Sequence, residues 1–353
     1  MSDKSAPKPL NLLDYHRPKR IRLSDARIPP LSKESKRCLR NLATHRAAKQ
    51  KFIYPRSKSA AVLVALFVGR MGDLYVLLSR RASTLRSFAG DTALPGGKVD
   101  PEDRTIEDTA RREAYEEIGL PPNKLKVPLL CILEPFLASN QLVVTPCVLS
   151  PALPLFSLPT ETQSRVVVLI LDNTLRPILN AAEVASLFSH PLAAFLTSSP
   201  PFPTESELVE VPYHTYSDWQ YPGPNGRAQT SRGHRFLTGR EAGGIKPVFG
   251  LTAGILIHAA SIAYARAPDF EVYAPPPALH QTSAERIAWA MVSKEAVWRE
   301  AYEKEGLRVD WKAVRRVAGV RARGHADGAS SGDEAWEESD SSRGRKRRIR
   351  NKL

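Results

Sequence analysis

The sequence predicts an α/β fold of the α+β kind: a mixed β-sheet sandwiched between helices, with disordered basic tails. Three observations carry this. Residues 60–68 (AAVLVALFV) are a strand-length apolar run, as expected of a strand covered on both faces. Residues 94–120 (LPGGKVDPEDRTIEDTARREAYEEIGL) read as a Gly-Gly turn, an acidic loop and a helix of about four turns. Apolar stretches 127–134 and 141–149 follow, and strands on both sides of a helix suit a sheet with helices on its faces.

The helix has marked ends. Thr105 is the expected N-cap, with Asp108 in capping-box position, and Gly119 sits where a left-handed residue ends a helix before Pro121 and Pro122. Ile106, Ala110, Ala114 and Ile118 recur every four residues and make a narrow apolar seam. Glu113, Glu116 and Glu117 are three and four apart, so they share a face. Like charges there weaken a helix, and a hard divalent cation with oxygen ligands reverses that cost. The Gly96-Gly97 turn lets main-chain groups come close to a metal or a phosphate.

This stretch resembles the Nudix box, G-x5-E-x7-R-E-U-x-E-E-x-G-U, with U a bulky apolar residue. Arg112, Glu113, Ala114, Glu116, Glu117, Gly119 and Leu120 fit its second half, with Ala114 small for its place. Counted from Gly97, the spacing to Arg112 is one residue longer than the general pattern. The first acidic position falls on Asp103 counted from the glycine and on Arg104 counted back from the helix; Asp103 is the expected partner of Arg112. Upstream, residues 77–97 (LLSRRASTLRSFAGDTALPGG) are similar to the signature of the coenzyme A diphosphatase branch. Leu77, Leu78, Arg81, Arg86, Gly90, Pro95, Gly96, Gly97, Asp100 and Asp103 fall in place, while Ser79, Phe88 and Leu94 replace Thr, His and Phe. Residues 249–253 (FGLTA) resemble a segment that opens a late helix in the same family.

The resemblance implies a Nudix fold and metal-dependent hydrolysis of the diphosphate bond of coenzyme A or acyl-CoA. The products would be 3′,5′-ADP and 4′-phosphopantetheine, and the cofactor Mg2+ or Mn2+. It implies Glu113 and Glu117 as metal ligands, with Glu116 close behind, and a main-chain carbonyl at Gly96 or Gly97 completing the shell. Glu116 is the first choice for activating water and Glu183 the second; Arg112 orients the carboxylates. Arg81 and Arg86 precede the box, and guanidinium forks suit the phosphates of coenzyme A. The competing readings are a Nudix hydrolase of oxidised nucleotides or capped RNA, and a silent nucleotide- or RNA-binding module. Retention of all three helix carboxylates argues against silence.

Composition bounds the rest. The chain has 353 residues and 42% hydrophobic content, enough for a sizeable core. No apolar run reaches eighteen residues, so no membrane span is expected, and the first twenty residues lack the apolar core of a secretory signal. Cys38, Cys131 and Cys147 are too few and scattered for a disulfide framework or zinc site, and read as reduced thiols of an intracellular protein. The net charge of +14 is concentrated in residues 17–51 and 343–352, which suits a polyanionic ligand. Nucleic-acid binding by the tails is the weaker reading. The terminal Asn351-Lys352-Leu353 is one change from the peroxisomal S-K-L address; cytoplasmic or nuclear placement is the alternative.

Along the chain, residues 1–32 read as a disordered basic segment, 33–278 as the Nudix domain, 279–323 as a charged helical extension and 324–353 as a low-complexity tail. Residues 33–50 predict a short basic helix. Residues 71–73 are a hairpin turn into a second strand, 74–79. Insertions are expected at 151–165 and 198–244, with 221–244 a mobile, glycine-containing stretch near the site. Between them, 166–171 predicts a strand, 180–188 (NAAEVASLF) a helix continued by 191–196, and 212–219 an aromatic strand. Residues 250–265 predict an apolar helix and 283–307 further helix. His214, His234 and His258 read as structural or exposed, and Tyr213, Tyr216 and Trp219 as core or loop residues before a platform for adenine.

Overall fold

Strand β1 (Ser59–Val68) is the centre of the architecture. The computed structural model describes residues 31–69, 71–124, 127–149, 179–202, 212–241, 244–275 and 281–320. Alternate residues of β1 enter two different cores, because successive side chains leave a strand on opposite faces. Ala60, Val64 and Leu66 join one cluster; Ala61, Leu63 and Ala65 join the other. A strand buried on both sides needs apolar residues throughout, which is why 60–68 is a continuous run.

Around β1 lie β2 (Leu74–Arg81), β3 (Thr92–Ala93), β4 (Gly96–Lys98), β5 (Leu129–Ile132), β6 (Phe136–Leu137), β7 (Val143–Leu149) and β8 (Val184–Pro191). The sheet runs β3-β2-β1-β7-β5, with β4 on β1, β6 on β7 and β8 on β2. It is mixed: β1 and β7 are parallel from Ser59–Val143 to Ala65–Leu149, and the other pairs are antiparallel. Helices α1 (Lys33–Thr44) and α3 (Gly250–Tyr264) cover one face, joined by a hydrogen bond from Asn41 Nδ2 to the Ala263 carbonyl at 2.8 Å. Helix α2 (Ile106–Ile118) covers the other through Ala110, Ala114 and Ile118, the seam read from the sequence. Helices α4 (Ser283–Ser293), α5 (Glu295–Lys304) and α6 (Trp311–Val317) bury Trp298, Met291 and Tyr302 against Val143, Phe52 and Tyr54. Among the described residues no helix is long and apolar enough to cross a membrane.

Two expectations are corrected. Residues 180–188 are not a helix: a turn at 181–183 leads into β8, and the continuation at Leu192–Leu196 is a 3-10 turn. The alanine-rich stretch favours helix locally, but β2 offers an edge that pairs with β8 from Tyr75–Pro191 to Arg81–Val184. Tertiary pairing overrides so weak a propensity. The second is 221–244, expected as a mobile, glycine-containing stretch: β9 (His214–Pro222), β10 (Ala228–Glu241) and β11 (Gly244–Phe249) form a second, antiparallel sheet there. Its Gly233 makes room for a ring, since a Cβ there would stand 2.4 Å from Trp219. The strand expected at 166–171, the loop at 151–165 and the C-terminal tail lie outside the described residues, as does the N-terminal segment up to residue 30.

Between the two sheets sits a cluster of histidines and aromatic rings. His190 stacks on Tyr213 and bonds its hydroxyl at 2.8 Å, and that hydroxyl donates to the Ala194 carbonyl. His234 Nε2 donates to the Val272 carbonyl at 2.9 Å, which leaves Nδ1 to accept from His214 Nε2 at 2.9 Å. Phe270 stacks on His214 at 3.9 Å. His258 instead meets Glu134 at 2.9 Å. Tyr213 is thus a core residue, while Tyr216 and Trp219 are about half exposed on β9.

Candidate active site

Local sequence places α2 without outside help. The Thr105 hydroxyl accepts the Asp108 N–H, the Asp108 carboxylate returns to the Thr105 N–H, and Gly119 closes the helix at φ 67°. Such a cap contributes about 1 kcal/mol. With the apolar seam on β1, the next flank of the helix faces the Gly96-Gly97 turn, because β4 pairs antiparallel with β1 at Ala61–Gly97 and Val62–Gly96.

Both glycines are required by what they touch. Gly96 has φ 155°, and a Cβ there would lie 2.3 Å from the Ala61 carbonyl oxygen. At Gly97 a Cβ would lie 2.3 Å from Glu113 Oε1. The Glu113 carboxylate therefore rests on bare backbone. Beside it, Glu117 Oε2 accepts the Gly96 N–H at 3.2 Å, and Arg81 Nη1 stands 4.0 Å from Glu117 Oε1. The Arg81 Nε is buried with no hydrogen-bond partner.

Arg112 ties the acids together. Its Nε and Nη2 fork onto Asp103 at 3.1 Å each, Nη2 also meets the Lys98 carbonyl at 2.9 Å, and Nη1 meets Glu113 at 3.1 Å and Glu116 at 3.0 Å. Asp103, and not Arg104, is thus the partner of Arg112. Asp103 also accepts from the Asp100 N–H and the Thr109 hydroxyl. Burial pushes its pKa up, but the Arg112 fork and these two bonds outweigh it and hold the carboxyl below its ordinary value.

Glu113 and Glu117 go the other way. Burial, with Glu116 and Glu183 nearby, raises Glu113 despite the opposing pull of Arg112. Burial pushes Glu117 up to about 7, helped by the charges of Glu113 and Glu183 and opposed by the Gly96 N–H and Arg81. The fold thus gathers Gly96, Gly97, Arg81, Arg112, Glu113 and Glu117, with Glu116 at the rim, its side chain 49% exposed. Arg86 is exposed on the loop after β2 and is not drawn into this group. Glu183 lies in the turn before β8, where its carbonyl accepts the Ala82 N–H at 2.8 Å and its charge reaches both Glu113 and Glu117.

Among the described residues no three His, Cys, Asp or Glu side chains are gathered tightly enough to hold a metal ion as they stand. The donor chemistry nonetheless fits a hard divalent cation. Two carboxylates rest against one glycine turn, burial raises the proton affinity of both, and a cation would take the proton's place.

One contact was not legible in the sequence. Arg56 Nη2 donates to the Asp103 carbonyl at 2.6 Å, and to those of Pro101 and Asp100. Arg56 lies 47 residues before Asp103 in an unremarkable basic stretch, so no spacing signals the pairing.

A profile of the NUDIX domain matches residues 57–145. Nudix hydrolase 15, mitochondrial, of Arabidopsis thaliana is 36% identical over 217 residues, covering 61% of this chain and 62% of that protein. An uncharacterized Nudix hydrolase, NudL of Pectobacterium atrosepticum, is 34% identical over 164 residues, 46% of this chain and 73% of the relative. Over the box region, peroxisomal coenzyme A diphosphatase 1 of Saccharomyces cerevisiae is 47% identical across 91 residues, 25% of this chain and 27% of the yeast protein. The chain belongs to the Nudix hydrolase family. It spans 62% of the Arabidopsis relative's length and 27% of the yeast relative's.

Proposed function

We propose that the chain is a divalent-metal-dependent diphosphatase that cleaves coenzyme A or its thioesters to 3′,5′-ADP and 4′-phosphopantetheine. The observation that carries the reading is the Glu113–Glu117 pair held against the Gly96-Gly97 turn with Arg81 beside it. A bound Mg2+ or Mn2+, held by Glu113 and Glu117 with Glu116 adjacent, would neutralise charge building on the diphosphate oxygens.

The chain's own residues supply the rest. Arg81 faces the acids from the end of β2, where its guanidinium can take a phosphate oxygen; Arg86 on the following loop offers a second fork. Arg112 bridges Glu113 and Glu116 through one guanidinium nitrogen and so orients both. In the reaction a water oxygen bonds to one phosphorus while the bridging P–O bond breaks and the second phosphate leaves. Glu116, the most exposed of the three helix carboxylates, is assigned as acceptor of the water proton. Glu183 is the second reading, favoured by its charge reaching both Glu113 and Glu117.

The choice of coenzyme A rests on Arg81 at the end of β2, Arg86 on the loop after it, and the likeness to the yeast relative over the box. The yeast relative is named peroxisomal and the Arabidopsis relative mitochondrial. Peroxisomal placement, supported by the yeast relative's name, is part of the proposal and is tested by following the tagged chain in cells. The substrate is tested with purified protein, Mg2+ or Mn2+, and a panel of coenzyme A, acetyl-CoA, ADP-ribose, an oxidised nucleotide and capped RNA. Coenzyme A or its thioester is expected to be cleaved fastest. Turnover of another compound with none of coenzyme A would replace the substrate, and turnover of nothing would leave a binding module.

A further inference from the structure

The C-terminal helices reach the site through a short series of hydrogen bonds. Helices α4–α6 bury Trp298 and Tyr302, and the Tyr302 hydroxyl donates to the Ile53 carbonyl at 2.8 Å. Just past α5, Glu305 turns its carboxylate to the start of β1. Its Oε2 accepts the Arg56 N–H at 2.7 Å, and Oε1 accepts the Ser57 N–H at 2.9 Å and the Ser57 hydroxyl at 2.7 Å. This caps the 3-10 turn Arg56–Lys58, whose own N-cap, Pro55, supplies no side-chain bond.

Arg56, anchored at its backbone, spends its side chain on the acidic loop. One guanidinium nitrogen meets the carbonyls of Asp100, Pro101 and Asp103. Within that loop the Asp103 N–H bonds the Asp100 carbonyl at 3.0 Å, and the Asp100 N–H returns to the Asp103 carboxylate at 2.9 Å. Asp103 then carries the Arg112 fork, and Arg112 carries Glu113 and Glu116. A guanidinium set by a loop is placed only as well as the loop is held, and outer partners of this kind set ligand geometry.

We propose that Arg56 is a positioning residue for the α2 acids and that Glu305, just past α5, sets Arg56. Together they fix the 100–103 loop, and through Asp103 and Arg112 the placement of Glu113 and Glu116. The inference rests on the proposed function: on its metal site for the Mn2+ readout and on its substrate for the activity readout.

The test uses the full chain with Arg56→Ala, Arg56→Lys, Glu305→Ala and the Arg56→Ala/Glu305→Ala double variant. Mn2+ affinity is read by electron paramagnetic resonance, together with kcat and KM for coenzyme A and the melting temperature. Arg56→Ala is expected to weaken Mn2+ about tenfold and to lower kcat about tenfold at nearly constant KM. Arg56→Lys should restore most of both, since an ammonium donates to the same carbonyls. The double variant should match Arg56→Ala alone, as members of one path do. A folded Arg56→Ala with wild-type Mn2+ affinity, or an Arg56→Lys no better than Arg56→Ala, overturns the inference. If Arg56→Ala does not fold, unchanged Mn2+ affinity in Glu305→Ala overturns it instead. Wild-type protein that binds Mn2+ without cleaving coenzyme A sinks the substrate reading and leaves this inference to the Mn2+ measurements. Wild-type protein that binds no Mn2+ sinks both.

Discussion

The flank of α2 and the histidine cluster between the sheets both bury titratable groups, and they do so with opposite results. At α2 the burial is only partly compensated: Glu117 is 5% exposed, accepts one backbone N–H, and has its pKa pushed up to about 7. In the cluster His214 and His234 have their protons placed by partners, and His190 bonds Tyr213 on one side only. Burial holds these imidazoles neutral, with His190 and His214 brought down to about 4. The difference separates a place that gains from a cation from a place that is simply core. It also sets two pH dependences of opposite sense, and the following changes would break or sharpen the contrast.

The largest effect is expected from Glu117→Gln. Hydrolysis should fall by about 10³-fold or more, since a charged ligand at the reacting phosphates is lost. Without metal the same change should stabilise the fold. The folded pKa of Glu117 lies above the ordinary carboxylate value, so ionisation costs the folded state stability as pH rises from about 4.5 to 7. Urea unfolding in chelator should show the variant more stable by about 1–3 kcal/mol at pH 8, with the gain vanishing near pH 4. A variant no more stable than wild type at pH 8 would mean that Glu117 is not electrostatically strained.

Next comes Gly97→Ala. The added methyl occupies the Glu113 carboxylate position, so the acid must swing away. Activity should drop about 10²-fold, the order expected for an ångström of misplacement. Steady-state kinetics on folded protein check this, and wild-type rates would show that Glu113 need not rest on the turn.

In the cluster, His190→Phe should act on stability and leave kcat untouched. The folded pKa of His190 is depressed, so its contribution is present above about 6.5 and is lost as pH falls toward 4. Wild type should lose about 1–3 kcal/mol over that window from this group, and the variant should show a flatter acid limb in denaturant melts. An unchanged acid limb would assign the loss to other groups. Smallest is Gly233→Ala, where a half-exposed Trp219 ring can move aside; a cost within about 1 kcal/mol and unaltered activity are expected by thermal melting and assay. A loss of several kcal/mol would show β9 and β10 to be locked more tightly than that exposure implies.

How much was legible follows the range of the forces involved. The caps and seam of α2 were readable because each depends on residues within four positions: Thr105 with Asp108, Ala110 with Ala114, and Gly119 at the end. The two-faced burial of β1 was readable from an unbroken apolar run. The misreading at residues 180–188 came where long-range pairing with β2 outweighs local preference.

By itself, then, the sequence determined a capped acidic helix, a two-sided central strand and the glycine turn between them, since short-range sterics and hydrogen bonds write these locally. Only the tertiary structure decided that Gly97 leaves room for the Glu113 carboxylate, that Glu117 is buried deeply enough to resist ionisation, and that Arg56 and Glu305 hold the loop behind Arg112. Those contacts join residues up to 249 positions apart, so only chain closure brings the partners together, and the shift at Glu117 needs the desolvation that closure brings.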